Sequence, residues 1–150
     1  MLFRSDTFST DARDAALFYS SDKDARDLKS LFVFLSKHTT VEWALHQKDK
    51  SYTLGTLYHK DDAGTWQDYG LVSRPNKSYH SHPEIATTET FERYSMVNDY
   101  FNMKNFPHTK APLYYVYFPE SNNVYQLTSS YANKLELSIY RLLGIPVPKR

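Results

Sequence analysis

Between residues 22 and 37 apolar side chains recur at helical spacing, with Leu28, Leu31, Phe32 and Leu35 on one face. Ser21 and Asp24 stand ahead of them at capping-box spacing, and Thr39 and Thr40 end the pattern. The period then changes from helical to two. Residues 41–47 (VEWALHQ) and 52–58 (YTLGTLY) read as strands, joined by a hairpin turn at Asp49-Lys50-Ser51. Val41, Trp43 and Leu45 point to one side of the first strand, and Glu42 and Ala44 to the other. The stretch 60–70, with Asp61, Asp62 and Gly64, reads as a loop. Residues 77–82 read as a further strand, halted by Pro83.

Helical character returns over 88–104. Thr87 or Thr88 is placed to cap it, Glu89 and Glu92 suit the positive end of its dipole, and Phe91, Tyr94, Asn98 and Phe101 fall on one side. Two strands are predicted at 113–118 and 124–128, with a turn at Glu120-Ser121-Asn122-Asn123. Residues 132–143 fit both periods. Leu135, Leu137 and Ile139 alternate, while Ala132, Leu135, Ile139 and Leu142 repeat at helical spacing. Gly144 and Pro146 stand where a helix would stop, so a helix is predicted there. A short helix is also predicted over 11–19. The resulting order is helix, hairpin, strand, helix, hairpin, helix, which is an α+β arrangement with a mixed sheet flanked by helices.

Composition narrows the picture. The 150 residues suit one domain, with no internal repeat or linker, and 41% hydrophobic with 23% charged residues is ordinary globular usage. A formal net charge of +1 gives no general attraction to nucleic acid or anionic lipid. The absence of Cys removes disulfides, thiolate metal sites and cysteine nucleophiles. Thirteen Tyr suit a strand-rich domain. Arg4, Asp6 and Asp11 interrupt the N-terminal apolar residues, so no signal peptide is read there, and no run is long enough to span a membrane.

The candidate chemistry centres on Tyr79-His80-Ser81-His82-Pro83. His80 and His82 are two apart in a strand, so both imidazoles leave the same face and can converge on one ion. Asp99, on the following helix, offers a third ligand, and Ser95 lies one turn before it. Two imidazoles and a carboxylate suit Zn²⁺ and leave a fourth position for water, which the ion can activate toward a carbonyl. Glu42, on the polar side of its strand, is the candidate base. Each element alone is more often structural; their ordered combination carries the reading. His38, His46, His59 and His108 are expected at the surface, with His46 a reserve candidate because it shares a strand face with Glu42.

An early Glu, then H-x-H-P, then Ser and Asp resembles the JAMM pattern of the JAB/MPN metallopeptidases. The sequence is most similar to the JAB-like toxin domains of bacterial polymorphic toxins. There a T-x-E-W strand like Thr40-Val41-Glu42-Trp43 precedes an HSHP segment, and a later strand resembles Tyr114-Tyr115-Val116-Tyr117-Phe118-Pro119. The likeness runs from about residue 28 to 128. It implies a curved mixed sheet between helices, with cytidine deaminase-like layering, and zinc-dependent cleavage of peptide or isopeptide bonds. By position it makes His80, His82 and Asp99 the ligands and Glu42 the general base, and has Ser95 help hold the oxyanion. Twelve residues separate His82 from Ser95, a longer gap than the family's, and the helix reads S-x-x-x-D where the family has S-x-x-D. Counting the family spacing from Ser95 lands on Asn98. Thr87 and Thr88 stand nearer the usual Ser position and are the alternatives for the oxyanion role.

The resemblance further implies a protein or peptide substrate and a cognate immunity protein as partners, with no nucleic acid and no membrane. It also implies secretion within a larger effector. The domain then either spans 1–150 by itself or forms the C-terminal part of a longer polypeptide. Two other functions compete: a catalytically inactive MPN-like domain that binds a protein, which the S-x-x-x-D spacing favours, and a metal-independent nuclease toxin using His80 and His82, which the near-neutral charge disfavours.

Overall fold

The computed structural model describes residues 5–10, 13–20, 25–57, 74–83, 88–104 and 113–149. In chain order the elements are β1 (Ser5–Thr10), β2 (Arg13–Ser20), α1 (Ala25–His38), β3 (Ala44–Lys48), β4 (Ser51–Thr56), β5 (Lys77–Ser81), α2 (Glu89–Ser95), α3 (Val97–Lys104), β6 (Leu113–Phe118), β7 (Asn123–Thr128), β8 (Tyr131–Leu135) and α4 (Ile139–Leu143). The strands form one sheet in the order β1-β2-β4-β3-β5-β6-β7-β8. This is the α+β arrangement of a mixed sheet flanked by helices that the hydrophobic pattern predicts. Every neighbouring pair is antiparallel except β5–β6, which is parallel. A parallel pair needs a crossover, and here the crossover carries α2 and α3.

Side chains alternate between the faces of a sheet, and the two faces have separate cores. On one face Trp43, Leu45, Leu54, Tyr79, Tyr117 and Val124 pack with Leu28, Phe32 and Val33 of α1 and with Ile139 and Leu143 of α4. Tyr79 and Tyr115 stack with centroids 5.0 Å apart. On the other face Val116, Phe118, Tyr125, Leu127 and Ala132 pack with Met96, between α2 and α3. Fully burying one Leu or Phe side chain stabilises such a core by about 1.5–3 kcal/mol.

Three expectations need correction. The helix predicted over 11–19 is a strand: β2 pairs with β4, from Ala16 opposite Thr56 to Ser20 opposite Tyr52. A partner strand some forty residues away in sequence satisfies its backbone groups, and no local pattern reveals that partner. The helix predicted over 132–143 is two elements. Its first part, β8, pairs with β7. Its second part, α4, is short, is capped by Ser138, whose hydroxyl accepts from Arg141 N–H, and ends at Gly144 in the left-handed region (φ 68°). The single helix predicted over 88–104 breaks at Met96, where the N–H turns to the Arg93 carbonyl three residues back (3.2 Å). Thr88 is its N-cap as expected. The aromatic side of Phe91, Tyr94 and Phe101 faces solvent. The loop expected over 60–70 lies outside the described residues.

The segment that enters β3 is held by side chains instead of a ladder. Thr39 Oγ1 donates to the Leu35 carbonyl (2.7 Å) and accepts from Trp43 Nε1–H (2.8 Å). Thr56 Oγ1 donates to the Glu42 carbonyl (2.6 Å). Trp43 N–H donates to Ser81 Oγ (3.0 Å), and Ser81 N–H returns to the Trp43 carbonyl (3.0 Å). Ser81 is fully buried. The serine of the HSHP segment therefore clamps the segment carrying Glu42, at the entry to β3, to the end of β5 between the two histidines.

Ser81→Ala removes the acceptor for a buried N–H and is expected to lower the unfolding free energy by about 1–3 kcal/mol. Urea denaturation would read this as a lower midpoint with an unchanged slope; an unchanged midpoint would show that the clamp contributes nothing.

Candidate metal centre

β5 lies inside the sheet between β3 and β6, with His80 opposite Ala44 on one side and Val116 on the other. His82 follows the strand, and its N–H donates to the Tyr117 carbonyl (2.9 Å). The backbone is thus pinned on the β3 side as far as Ser81 and on the β6 side as far as His82, and both imidazoles leave the face that carries Glu42. Asp99 reaches the same point from the first turn of α3.

The three side chains converge. His80 Nε2 and His82 Nε2 are 3.1 Å apart. Asp99 Oδ2 is 2.9 Å from His82 Nε2 and 3.3 Å from His80 Nε2. A tetrahedral zinc ion with bonds of about 2.0–2.1 Å holds its ligand atoms about 3.3–3.4 Å apart, so these spacings need little adjustment. Among the described residues, this is the one group of three or more His, Cys, Asp or Glu side chains that could hold a metal ion. Asp99 Oδ2 is buried and faces both ring nitrogens. Two ring nitrogens and a carboxylate oxygen brought this close together could hold a metal ion between them. Burial pushes the Asp99 carboxyl up, but His80 and His82 outweigh burial and hold it below the usual carboxylate range, so the group is anionic.

Glu42 Oε1 stands 3.7 Å from His82 Nε2. Glu42 is 5% exposed and His82 6%, while His80 and Asp99 are only partly covered. The cluster is therefore closed on the Glu42 side and open on the His80 and Asp99 side. Ser95 also arrives at the site, but at the other nitrogen: its Oγ is 3.1 Å from His82 Nδ1. The family spacing would have selected Asn98, which is exposed. The tight turn at Met96 lies between Ser95 and Asp99, and the longer S-x-x-x-D spacing brings Asp99 to the imidazoles. Thr88 Oγ1 is engaged as the cap of α2, accepting from Phe91 N–H (3.4 Å); Thr87 lies outside the described residues.

Two groups near the site differ from what the sequence suggests. His46, expected at the surface, is buried, and its Nδ1 lies 2.8 Å from Ser78 Oγ. Burial, with His80 as a second cause, pushes its pKa down to about 3, so the ring is neutral. Its shared face with Glu42 foretold this position, because that face turns out to be covered. Glu92, read as an acid suited to a helix N-terminus, is 1% exposed. Its carboxylate accepts from Ser121 Oγ, Asn123 Nδ2 (2.7 Å) and Tyr125 OH (2.9 Å), which ties α2 to the β6–β7 turn. Its spacing from Met96, one helical turn on, was the available signal. His38 is exposed as expected; His59 and His108 lie outside the described residues.

No curated protein and no solved structure matches this chain. A family model described as JAB-like toxin 1 matches residues 20–105, more than half of the 150. The matched stretch runs from the end of β2 to the end of α3 and contains every side chain of the cluster. On that match, the chain belongs to the JAB-like toxin 1 family.

Proposed function

We propose that this protein is a zinc-dependent hydrolase of peptide or isopeptide bonds that acts as a bacterial toxin domain. The observation that carries the reading is the convergence of His80 Nε2, His82 Nε2 and Asp99 Oδ2, with the Glu42 carboxylate alongside. The donor set is two imidazoles and one carboxylate, which suits zinc and leaves one position for a water or substrate oxygen. When bound, zinc would supply a Lewis acid that polarises a carbonyl and lowers the pKa of a water.

The chain's own residues do the rest. His80 and His82 present their ring nitrogens from a backbone pinned on both flanks, so little ordering is required when the ion enters. Asp99 brings the negative charge that offsets part of the cation's. Glu42 is the general base: it is close to the cluster without belonging to the ligand triangle, and its backbone is fixed by Thr56 and by the Trp43–Ser81 clamp. From there its carboxylate takes a proton from the attacking water and passes it to the leaving amine. The substrate is a protein or peptide approaching from the open His80 and Asp99 side, and a cognate immunity protein is the expected neutralising partner. No described helix is long and apolar enough to cross a membrane, and zinc chemistry on a protein requires none. The inactive-binder reading rested on the S-x-x-x-D spacing, and Asp99 stands at the cluster despite that spacing.

The purified protein is expected to bind about one zinc ion per chain. His80→Ala with His82→Ala should abolish binding, Asp99→Asn should weaken it, and Asn98→Ala should leave it unchanged. Elemental analysis and chelator competition measure this. Undiminished zinc in the double variant, or unchanged affinity in Asp99→Asn, would remove the ligand assignment.

Glu42→Gln keeps shape but cannot accept a proton. It is expected to retain zinc and to lose turnover by about a hundredfold or more, with loss of growth inhibition when expressed in bacteria. Full activity in this variant excludes Glu42 as the base, and lost zinc would make it a ligand. Cleavage of total RNA in the presence of a chelator would instead favour a nuclease.

A further inference from the structure

A histidine ligand can bind a metal through Nε2 only if its proton sits on Nδ1, and the group facing Nδ1 decides that. At His82 that group is Ser95. A serine hydroxyl has one proton to give. Here the Ser95 hydroxyl donates to the Glu92 carbonyl three residues back (2.7 Å). That carbonyl is available because the helix breaks at Met96. In an unbroken α-helix the Met96 N–H would reach the Glu92 carbonyl, but it goes to the Arg93 carbonyl instead (3.2 Å). With its proton so placed, Ser95 Oγ can only accept from His82, at 3.1 Å.

We propose that Ser95 is a positioning residue for His82: its hydroxyl, oriented by the Glu92 carbonyl that the break at Met96 leaves open, accepts Nδ1–H and turns the Nε2 lone pair toward the metal position. This rests on the zinc reading above, and it revises the oxyanion role that the family resemblance implies for Ser95. An oxyanion donor must spend its proton on the substrate, and this proton is engaged within α2. The distances agree: the contact of Ser95 is with the nitrogen of His82 that points away from His80 and Asp99.

The position of α2 supports the same assignment. The Glu92 side chain is held by three donors from the turn after β6 and from β7, namely Ser121, Asn123 and Tyr125. Tyr131 OH donates to the Arg93 carbonyl, and Arg93 Nη1 donates to the Ala132 carbonyl (2.6 Å). The helix that carries Ser95 is thus anchored to β7 and β8 by polar contacts, and a small displacement of α2 would break the Ser95–His82 contact.

The test uses Ser95→Ala and Ser95→Thr in the full chain. Thr keeps the hydroxyl, which in a helix can still donate to a carbonyl one turn back. Nitrogen-15 NMR of the metal-free protein, at a pH where the imidazoles are neutral, is expected to show His82 as the Nδ1–H tautomer in the unaltered chain and in Ser95→Thr. Ser95→Ala should lose that preference. Zinc affinity, measured by competition with a chromogenic chelator, should fall about 10–100-fold in Ser95→Ala and recover in Ser95→Thr. An Nε2–H tautomer in the unaltered chain would overturn the proposal. So would unchanged zinc affinity in Ser95→Ala with collapsed turnover, which is the pattern of an oxyanion donor. A chain that bound no zinc at all would end the hydrolase reading, and the tautomer, read without metal, would still decide this one.

Discussion

β5 has no edge. It is hydrogen-bonded to β3 on one side and to β6 on the other, and both ladders run through His80. A one-residue slip would turn Tyr79 out of the core under α1 and put both histidines in its place. The stacked Tyr79 and Tyr115 rings and the Trp43–Ser81 clamp oppose that slip from the apolar face. The polar face gains its geometry as a consequence. His80 and His82 stand side by side because the residues between and before them are locked on the other side.

Around that strand, the site combines one element from each neighbour. The approach to β3 brings Glu42, α2 brings Ser95 and α3 brings Asp99. The His82 ring packs against Phe118 (centroids 5.1 Å apart), part of the core that also holds Val116 and Met96, and the buried His46 is neutral. The two ring nitrogens and the carboxylate oxygen of this arrangement could hold a metal ion.

Most of the fold was legible where the pattern was local. The α1 stripe of Leu28, Leu31, Phe32 and Leu35, the β3–β4 hairpin at Asp49, and the β6–β7 turn before Asn123 all follow from side-chain period and turn chemistry. The misread segments are those whose partner is distant or whose pattern fits two periods. The stretch Ala15-Ala16-Leu17-Phe18-Tyr19 is compatible with a helix until β4 supplies the other half of its hydrogen bonds. Residues 131–143 satisfy both periods, and β7 settles the first half as a strand. His46 was misplaced because being near a turn says nothing about what covers the face.

By itself, the sequence determined the chemistry on offer: an H-x-H on a strand, an upstream Glu on a polar face and a downstream helix with Ser and Asp. It could do so because spacing of two and of four translates directly into shared faces. It could not decide whether Asp99 or Asn98 turns inward, nor what Ser95 touches. Both depend on the break at Met96, a backbone event without Pro or Gly to announce it. That break accompanies the burial of Met96 against Val116 and Phe118 and the capture of the Glu92 side chain by Ser121, Asn123 and Tyr125. Those partners lie some thirty residues later in the chain. Only the tertiary structure brings them to the helix, and with them the choice of which side chain meets which nitrogen.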